Sequence, residues 1–153
     1  MTGTPSTPRL DPVVKKITVP DSVISTFQRF TEGIDTWWPT ETHSVDVHEA
    51  CTVAIEPHVG GRIYERRRDG GEATWGAVTT WDPPCRVAFK WHLGRDTNAA
   101  QELEIRFRQA DAGTELELAH GDWEALGADA EEIRRRYVSG WEHVLGRFAE
   151  RAD

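Results

Sequence analysis

The chain has 153 residues, with 26 Asp and Glu against 18 Lys and Arg, a formal charge of -8 and a pI near 5.2. That length suits one compact core, while the negative charge disfavours nucleic acid and anionic lipid surfaces, which draw their affinity largely from Lys and Arg. With 38% hydrophobic residues and no apolar run of bilayer length, no membrane span is expected, and the sequence suits a globular protein of the cytoplasm.

Residues 1–12 combine Thr, Ser and Pro without a basic stretch leading into an apolar one, so they are expected to form a flexible tail and not a signal peptide. Residues 13–153 are then expected to form a single domain. The stretch "VVKKITV" alternates as a strand and stops at Pro20, after which Asp21 or Ser22 can cap a short helix with Val23, Phe27 and Phe30 on one stripe. One or two further helical turns end before Pro39, and a polar loop follows with His43, Asp46, His48 and Glu49. Strands are predicted at "CTVAIEP", "GRIYERRR", "EATWGAVTTW", "CRVAFKW", "QELEIRFR" and "ELELAH", with turn chemistry at Asp69-Gly70-Gly71, Asp82-Pro83-Pro84 and Asp111–Thr114. The last segment places Ile133, Tyr137, Trp141, Val144, Leu145 and Phe148 on one face of a long amphipathic helix. The short basic runs at 66–68 and 134–136 read as solvated faces.

Strand side chains alternate between faces and antiparallel pairing preserves them, so parity can be carried through the hairpins. It assigns Ala73, Trp75, Ala77, Thr79 and Trp81 to the apolar face, continued by Val87, Phe89 and Trp91 and by Leu103, Ile105 and Phe107. Gly76, Val78, Lys90, Glu102, Glu104 and Arg106 fall on the wet face. A turn at Ala112-Gly113 pairs Phe107 with Leu118 and Ile105 with His120, which turns His120 inward. An antiparallel sheet with one apolar face needs a cover, and only the C-terminal helix is long enough. Gly140 costs that helix about 1 kcal/mol relative to Ala, which suggests room beside Trp141. The tryptophans either line or fill the volume between sheet and helix, and each carries an indole N–H that needs an acceptor when buried.

The stretches "WWPTETHSV", "EPHVGGRIYERRRDGGEATWGAVTTWDPPCRVAFKWH", "LAHGDWEALG" and "RRRYVSGWEHVLGRF" together resemble the SRPBCC superfamily of START-like, birch-pollen-allergen-like helix-grip domains. The subgroup they resemble is that of bacterial homologues of the activator of heat-shock protein 90 ATPase. The resemblance runs from about Val13 to about Ala149. It implies an α+β helix-grip fold, in which a curved antiparallel sheet of about six to seven strands wraps a long C-terminal helix, with two short helices after the first strand. It also implies an internal cavity, whose uses across the superfamily include lipid carriage, polyketide cyclisation and chaperone assistance. Fold does not fix which.

The residues expected to line that cavity are Trp75, Phe89, Trp91, Ile105, Phe107 and Leu118 from the sheet, inward-pointing His120, and Tyr137 and Trp141 from the helix. Trp38, His43 and His92 are expected at its mouth. His120 is either a donor or proton carrier for a ligand or a core histidine bonded to Tyr137 or a backbone carbonyl. Tyr64 and Glu65 compete for the inner face: a two-residue turn at the preceding hairpin selects Tyr64, and a three-residue turn with a bulge selects Ile63 and Glu65. A solvent-facing ion pair is the simpler role for Glu65. The loop ligand types fit no metal motif, His48-Glu49 opens no HExxH, and Cys51 and Cys85 are far apart, so neither metal nor disulfide is expected. No phosphate loop, dinucleotide fingerprint or nucleophile elbow occurs. The leading expectation is a carrier of a small hydrophobic molecule, aromatic, lipid-like or polyketide-like, without a cofactor, acting as a monomer or homodimer. A cofactor-free cyclase, dehydratase or hydrolase using His120, Tyr137 or Glu65 is the alternative, and a chaperone-associated interaction module the third.

Overall fold

The computed structural model describes residues 10–45, 50–93 and 100–150, with nothing given for the side chains of residues 50 and 51. Strand β1 (Val13–Val19) ends at Pro20, and the Ser22 hydroxyl accepts the Ser25 amide at 3.1 Å, so Ser22 is the N-cap of α1 (Val23–Thr31). The i, i+3 pair Phe27 and Phe30 buries one face of α1, and a 3-10 turn over Ile34–Thr36 then delivers Trp37 and Trp38 to the core.

Six strands follow: β2 (Ala50–Ile55), β3 (Arg62–Arg67), β4 (Glu72–Asp82), β5 (Arg86–Trp91), β6 (Gln101–Ala110) and β7 (Gly113–His120). With β1 they form one antiparallel sheet in the order β1-β7-β6-β5-β4-β3-β2, curled into a half-barrel. A 3-10 segment over Trp123–Asp129 leads into α2 (Ala130–Glu150), whose Ile133, Trp141, Val144, Leu145 and Phe148 are buried against the sheet. This is the α+β helix-grip architecture expected, with a 3-10 turn in place of the second short helix.

Two β-bulges in β4 overturn part of the parity argument. Opposite β3, Ile63 pairs Gly76 and Tyr64 pairs Thr74, so Trp75 has no opposite residue; opposite β5, Val78 pairs Phe89 and Thr80 pairs Ala88, so Thr79 has none. Each extra residue resets the alternation. Gly76 and Val78 therefore take the inner face opposite Trp91 and Phe89, whereas Ala77 pairs the exposed Lys90 and Thr79 is exposed. The bulges also increase local twist, which suits a sheet that must wrap a helix.

The β6–β7 turn lies one residue earlier than expected, at Asp111-Ala112, with Ala110 paired to Gly113. Phe107 therefore faces Leu116, Ile105 faces Leu118 and Leu103 faces His120, a shift of two that keeps every face. Gly113 holds φ +141, and a Cβ there would collide with the Val19 carbonyl and the Pro20 backbone, so β1 lies against a site where only glycine fits. At the β3–β4 hairpin, Arg67 donates its amide to Gly71 O at 2.8 Å across the three residues 68–70, and Gly70 has φ +89. That three-residue turn with a left-handed glycine selects Ile63 and Glu65 as the inward pair. Glu65 is 0% exposed, which corrects the expectation of a solvent-facing ion pair, while Tyr64 stays at the surface under the Arg62 guanidinium, 4.2 Å from the ring centre.

Candidate functional site

A groove of about 420 Å³ opens between α2, the segment 38–44 and the end of β5. Trp38, Trp91, Tyr137, Trp141 and Val144 make its apolar wall, and Thr42, His43, Ser44 and Arg136 its polar rim.

Backbone and indole hydrogen bonds fix the wall. The Trp38 amide donates to Ile34 O at 3.0 Å, the His43 amide to Pro39 O at 2.9 Å and Trp38 Nε1 to His43 O at 2.6 Å, so the segment closes on itself with the indole on its inner side. That indole touches Trp75, Trp91 and Trp141 with ring centres 5.1, 6.2 and 6.0 Å away, in the tilted and edge-on arrangements that aromatic quadrupoles favour. Trp91 Nε1 donates to Tyr137 Oη at 3.1 Å, tying the end of β5 to α2. One helical turn further, Gly140 faces the rim: a Cβ there would find only the His43 ring, at 3.6 Å, which is ordinary contact.

His43 stacks on His143 of α2 with ring centres 5.0 Å apart and 16° between planes, and its Nδ1 lies 2.7 Å from Thr42 Oγ1. Burial holds its pKa below the usual 6.5, with the neighbouring His143 charge acting in the same direction and Glu41 opposing both. Beside this pair Glu41 bonds Arg147 at 3.1 Å, and Glu41 is held below the usual carboxylate range by its backbone hydrogen bond and by Arg147.

Behind the wall lie two buried polar groups. Glu65 Oε1 accepts from Trp75 Nε1 at 2.7 Å and from the Val45 amide at 2.6 Å, so a carboxylate on β3 anchors both a core indole and the loop beyond the rim. His120, at the end of β7, is 0% exposed; its Nδ1 accepts from Trp141 Nε1 at 3.0 Å, and burial alone pushes its pKa down to about 3. It is a neutral core histidine, bonded to an indole instead of to Tyr137 or a carbonyl.

Of the residues expected at a cavity, Trp38, His43, Trp91, Tyr137 and Trp141 come together around the groove. Trp75, Phe89, Ile105, Phe107, Leu118 and His120 do not line it; each is at most 4% exposed and packs in the core beneath. His92 lies away from it, in a separate depression with Ala77, Lys90 and Ala100, because it follows Trp91 on the opposite face of the sheet. Thr42, Ser44, Leu93, Arg136 and Val144 also line the groove. Arg136, Tyr137, Gly140, Trp141 and Val144 recur at the spacing of one helix face, although of these only Tyr137 and Trp141 are among the residues expected to line a cavity. The loop residues carry no periodic signal. Asp46, His48 and Glu49 lie outside the described residues, among which no group of three or more His, Cys, Asp or Glu could hold a metal. Cys85 is a free, exposed thiol. No described helix is long and apolar enough to cross a membrane.

The family model described as "Activator of Hsp90 ATPase homolog 1-like protein" matches residues 24–153. Among solved structures, the anthrahydroquino-γ-pyrone synthase Txn09 is 33% identical, with 93% of this chain and 97% of that one covered and a TM-score of 0.62. The Aha1 dimer from Colwellia psychrerythraea is 17% identical, covering 92% of this chain and 95% of its own, with a TM-score of 0.66. Protein MLL2253 from Mesorhizobium loti is 15% identical, covering 91% and 94%, with a TM-score of 0.64. At such identities the last two show the fold alone. No curated protein matches the chain.

Proposed function

The chain belongs to the activator of Hsp90 ATPase homolog 1-like family, within the SRPBCC superfamily, and on that premise we propose that it binds a flat, hydrophobic small molecule of the polycyclic aromatic kind in the groove beside α2. The observation that carries this reading is the wall: three indoles and a phenol around about 420 Å³, within the size range of small-molecule sites. Rigid aromatic walls favour a rigid aromatic guest over a flexible acyl chain, since stacking rewards planar surface and a chain loses rotamer freedom on binding. The name of the 33% identical synthase, which contains a fused polycyclic aromatic, supports the same chemical class.

Binding to the folded state alone raises stability by about 2.7 kcal/mol at one hundred times Kd, roughly 5–10 °C in melting temperature for a chain of this size. A panel of polycyclic aromatics should therefore raise the melting temperature in a saturable way and change tryptophan emission, whereas fatty acids of equal carbon number should do so weakly. If no aromatic shifts either signal, the reading fails.

A synthase of the cofactor-free cyclase type is the second reading, motivated by the same relative and by two groove side chains able to move protons, His43 and Tyr137. His43, with its lowered pKa, is a neutral base at neutral pH, while His120 is too weakly basic and too well buried for the role. Under this reading His43→Ala abolishes turnover of a bound aromatic substrate and leaves its binding within a few-fold. A chaperone-associated role draws on the family description alone.

A further inference from the structure

His120 and Trp123 present two buried N–H groups that no described residue satisfies. The tautomer of His120 follows from its partner: an indole N–H only donates, so the Nδ1 that receives Trp141 Nε1 at 3.0 Å is the acceptor nitrogen, and the proton of the neutral ring sits on Nε2. The ring is neutral because burial depresses its pKa to about 3. Nε2–H is fully buried and has no hydrogen-bond partner among the described residues, and the same is true of Trp123 Nε1–H. Both residues are 0% exposed, and their ring centres are 4.2 Å apart. Buried donors are nearly always paired, so two unpaired ones on neighbouring rings, at the end of β7 and the start of the 3-10 segment, call for an acceptor.

Tyr137 and Trp141 both pack against His120 and both line the groove, and Tyr137 also touches Trp123. The Tyr137 ring lies 4.7 Å from His120 and 5.6 Å from Trp123 by ring centres. Tyr137 is half-buried, about one helical turn before Gly140.

We propose that the groove continues past Tyr137 into an oxygen-recognising end, where His120 Nε2–H and Trp123 Nε1–H donate to a carbonyl or phenolic oxygen of the guest. The inference rests on the groove being a ligand site and adds the functional group that the ligand carries. It makes the preferred guest an oxygenated polycycle, a quinone or aryl ketone, over the bare hydrocarbon of the same shape.

Fluorene and fluorenone differ by one carbonyl on the same flat skeleton, and their affinities are measurable by tryptophan quenching. Leaving a donor unpaired against an otherwise matched guest costs enough to predict at least about tenfold tighter binding of fluorenone. In proton–nitrogen correlation spectra of the wild-type protein, the Trp123 indole N–H should shift downfield with fluorenone and not with fluorene. Trp123→Phe, which keeps an aromatic ring in place, should erase most of the preference while leaving fluorene affinity within a few-fold. Equal affinities, or an unmoved Trp123 signal with both compounds bound, would mean that the two donors serve a resident water only; this inference would then be overturned with the aromatic groove intact. If neither compound binds, the groove reading falls and this one with it.

Discussion

Protonating His120 inside the core places a charge beside the rings of Trp123, Tyr137 and Trp141. Its folded-state pKa of about 3 lies below the ordinary 6.5, so the unfolded chain takes up the proton first. The contribution is complete above about pH 6.5 and is lost as pH falls toward 3, at up to about 1.4 kcal/mol per pH unit. His43, also lowered, acts in the same direction. Urea unfolding at pH 6.5 and pH 5 should show wild type losing about 2 kcal/mol and His120→Gln losing clearly less; parallel losses would contradict the neutral core histidine. Glu65 gives a second test at this scale. Glu65→Ala strands the buried Trp75 N–H and the Val45 amide and should cost about 2–4 kcal/mol, whereas Glu65→Gln keeps an acceptor oxygen and should cost less than half of that. Equal costs would mean that the two bonds contribute little.

Among the elements, α2 was the most legible in the sequence, because one helix keeps one period from end to end and Ile133, Trp141, Val144, Leu145 and Phe148 all obey it. The strands were legible in number and the meander β2 to β7 in sequence, but neither the pairing of β1 with β7 nor every face was. Parity placed Trp75 and the β5 and β6 residues correctly and misplaced Gly76, Ala77, Val78 and Thr79, because a bulge is a property of two strands paired together, which alternation within one strand does not encode. The inward turn of Glu65 depended on the length of one hairpin loop, and the two possible lengths gave opposite answers until the pairing of Arg67 with Gly71 was seen. Gly140 was readable as room beside Trp141, although the occupant of that room, His43, comes from a loop without periodicity. Gly140→Ala should stabilise α2 by up to about 1 kcal/mol and preserve binding, because its Cβ makes only ordinary contact with His43. Gly140→Leu should lower affinity for a polycyclic guest at least about tenfold without lowering the melting temperature. A leucine variant that binds normally would move the site elsewhere. At the opposite end of the sheet, Gly113→Ala forces a Cβ against the Val19 carbonyl at a positive φ, and should lower stability by about 2–4 kcal/mol through β1.

Across the whole molecule the tryptophans both fill and line. Six of the seven are buried, and most of the aromatic mass forms a packed core in which Trp38 joins Trp37, Trp75, Trp91 and Trp141 into one contiguous cluster. The chamber expected between sheet and helix is therefore largely occupied by side chains, and the open space has moved to the margin where α2 meets the segment 38–44. The guest is proposed to enter through this marginal groove, beside α2, and not to bind on the charged outer face of the sheet. A crystal soaked with bromofluorene tests it most directly, since anomalous scattering locates the bromine without reference to the protein density. A bromine peak within contact distance of Trp38, Trp91, Tyr137 or Trp141 is the expected result; no peak there, or peaks only over the outer face of the sheet, would contradict it.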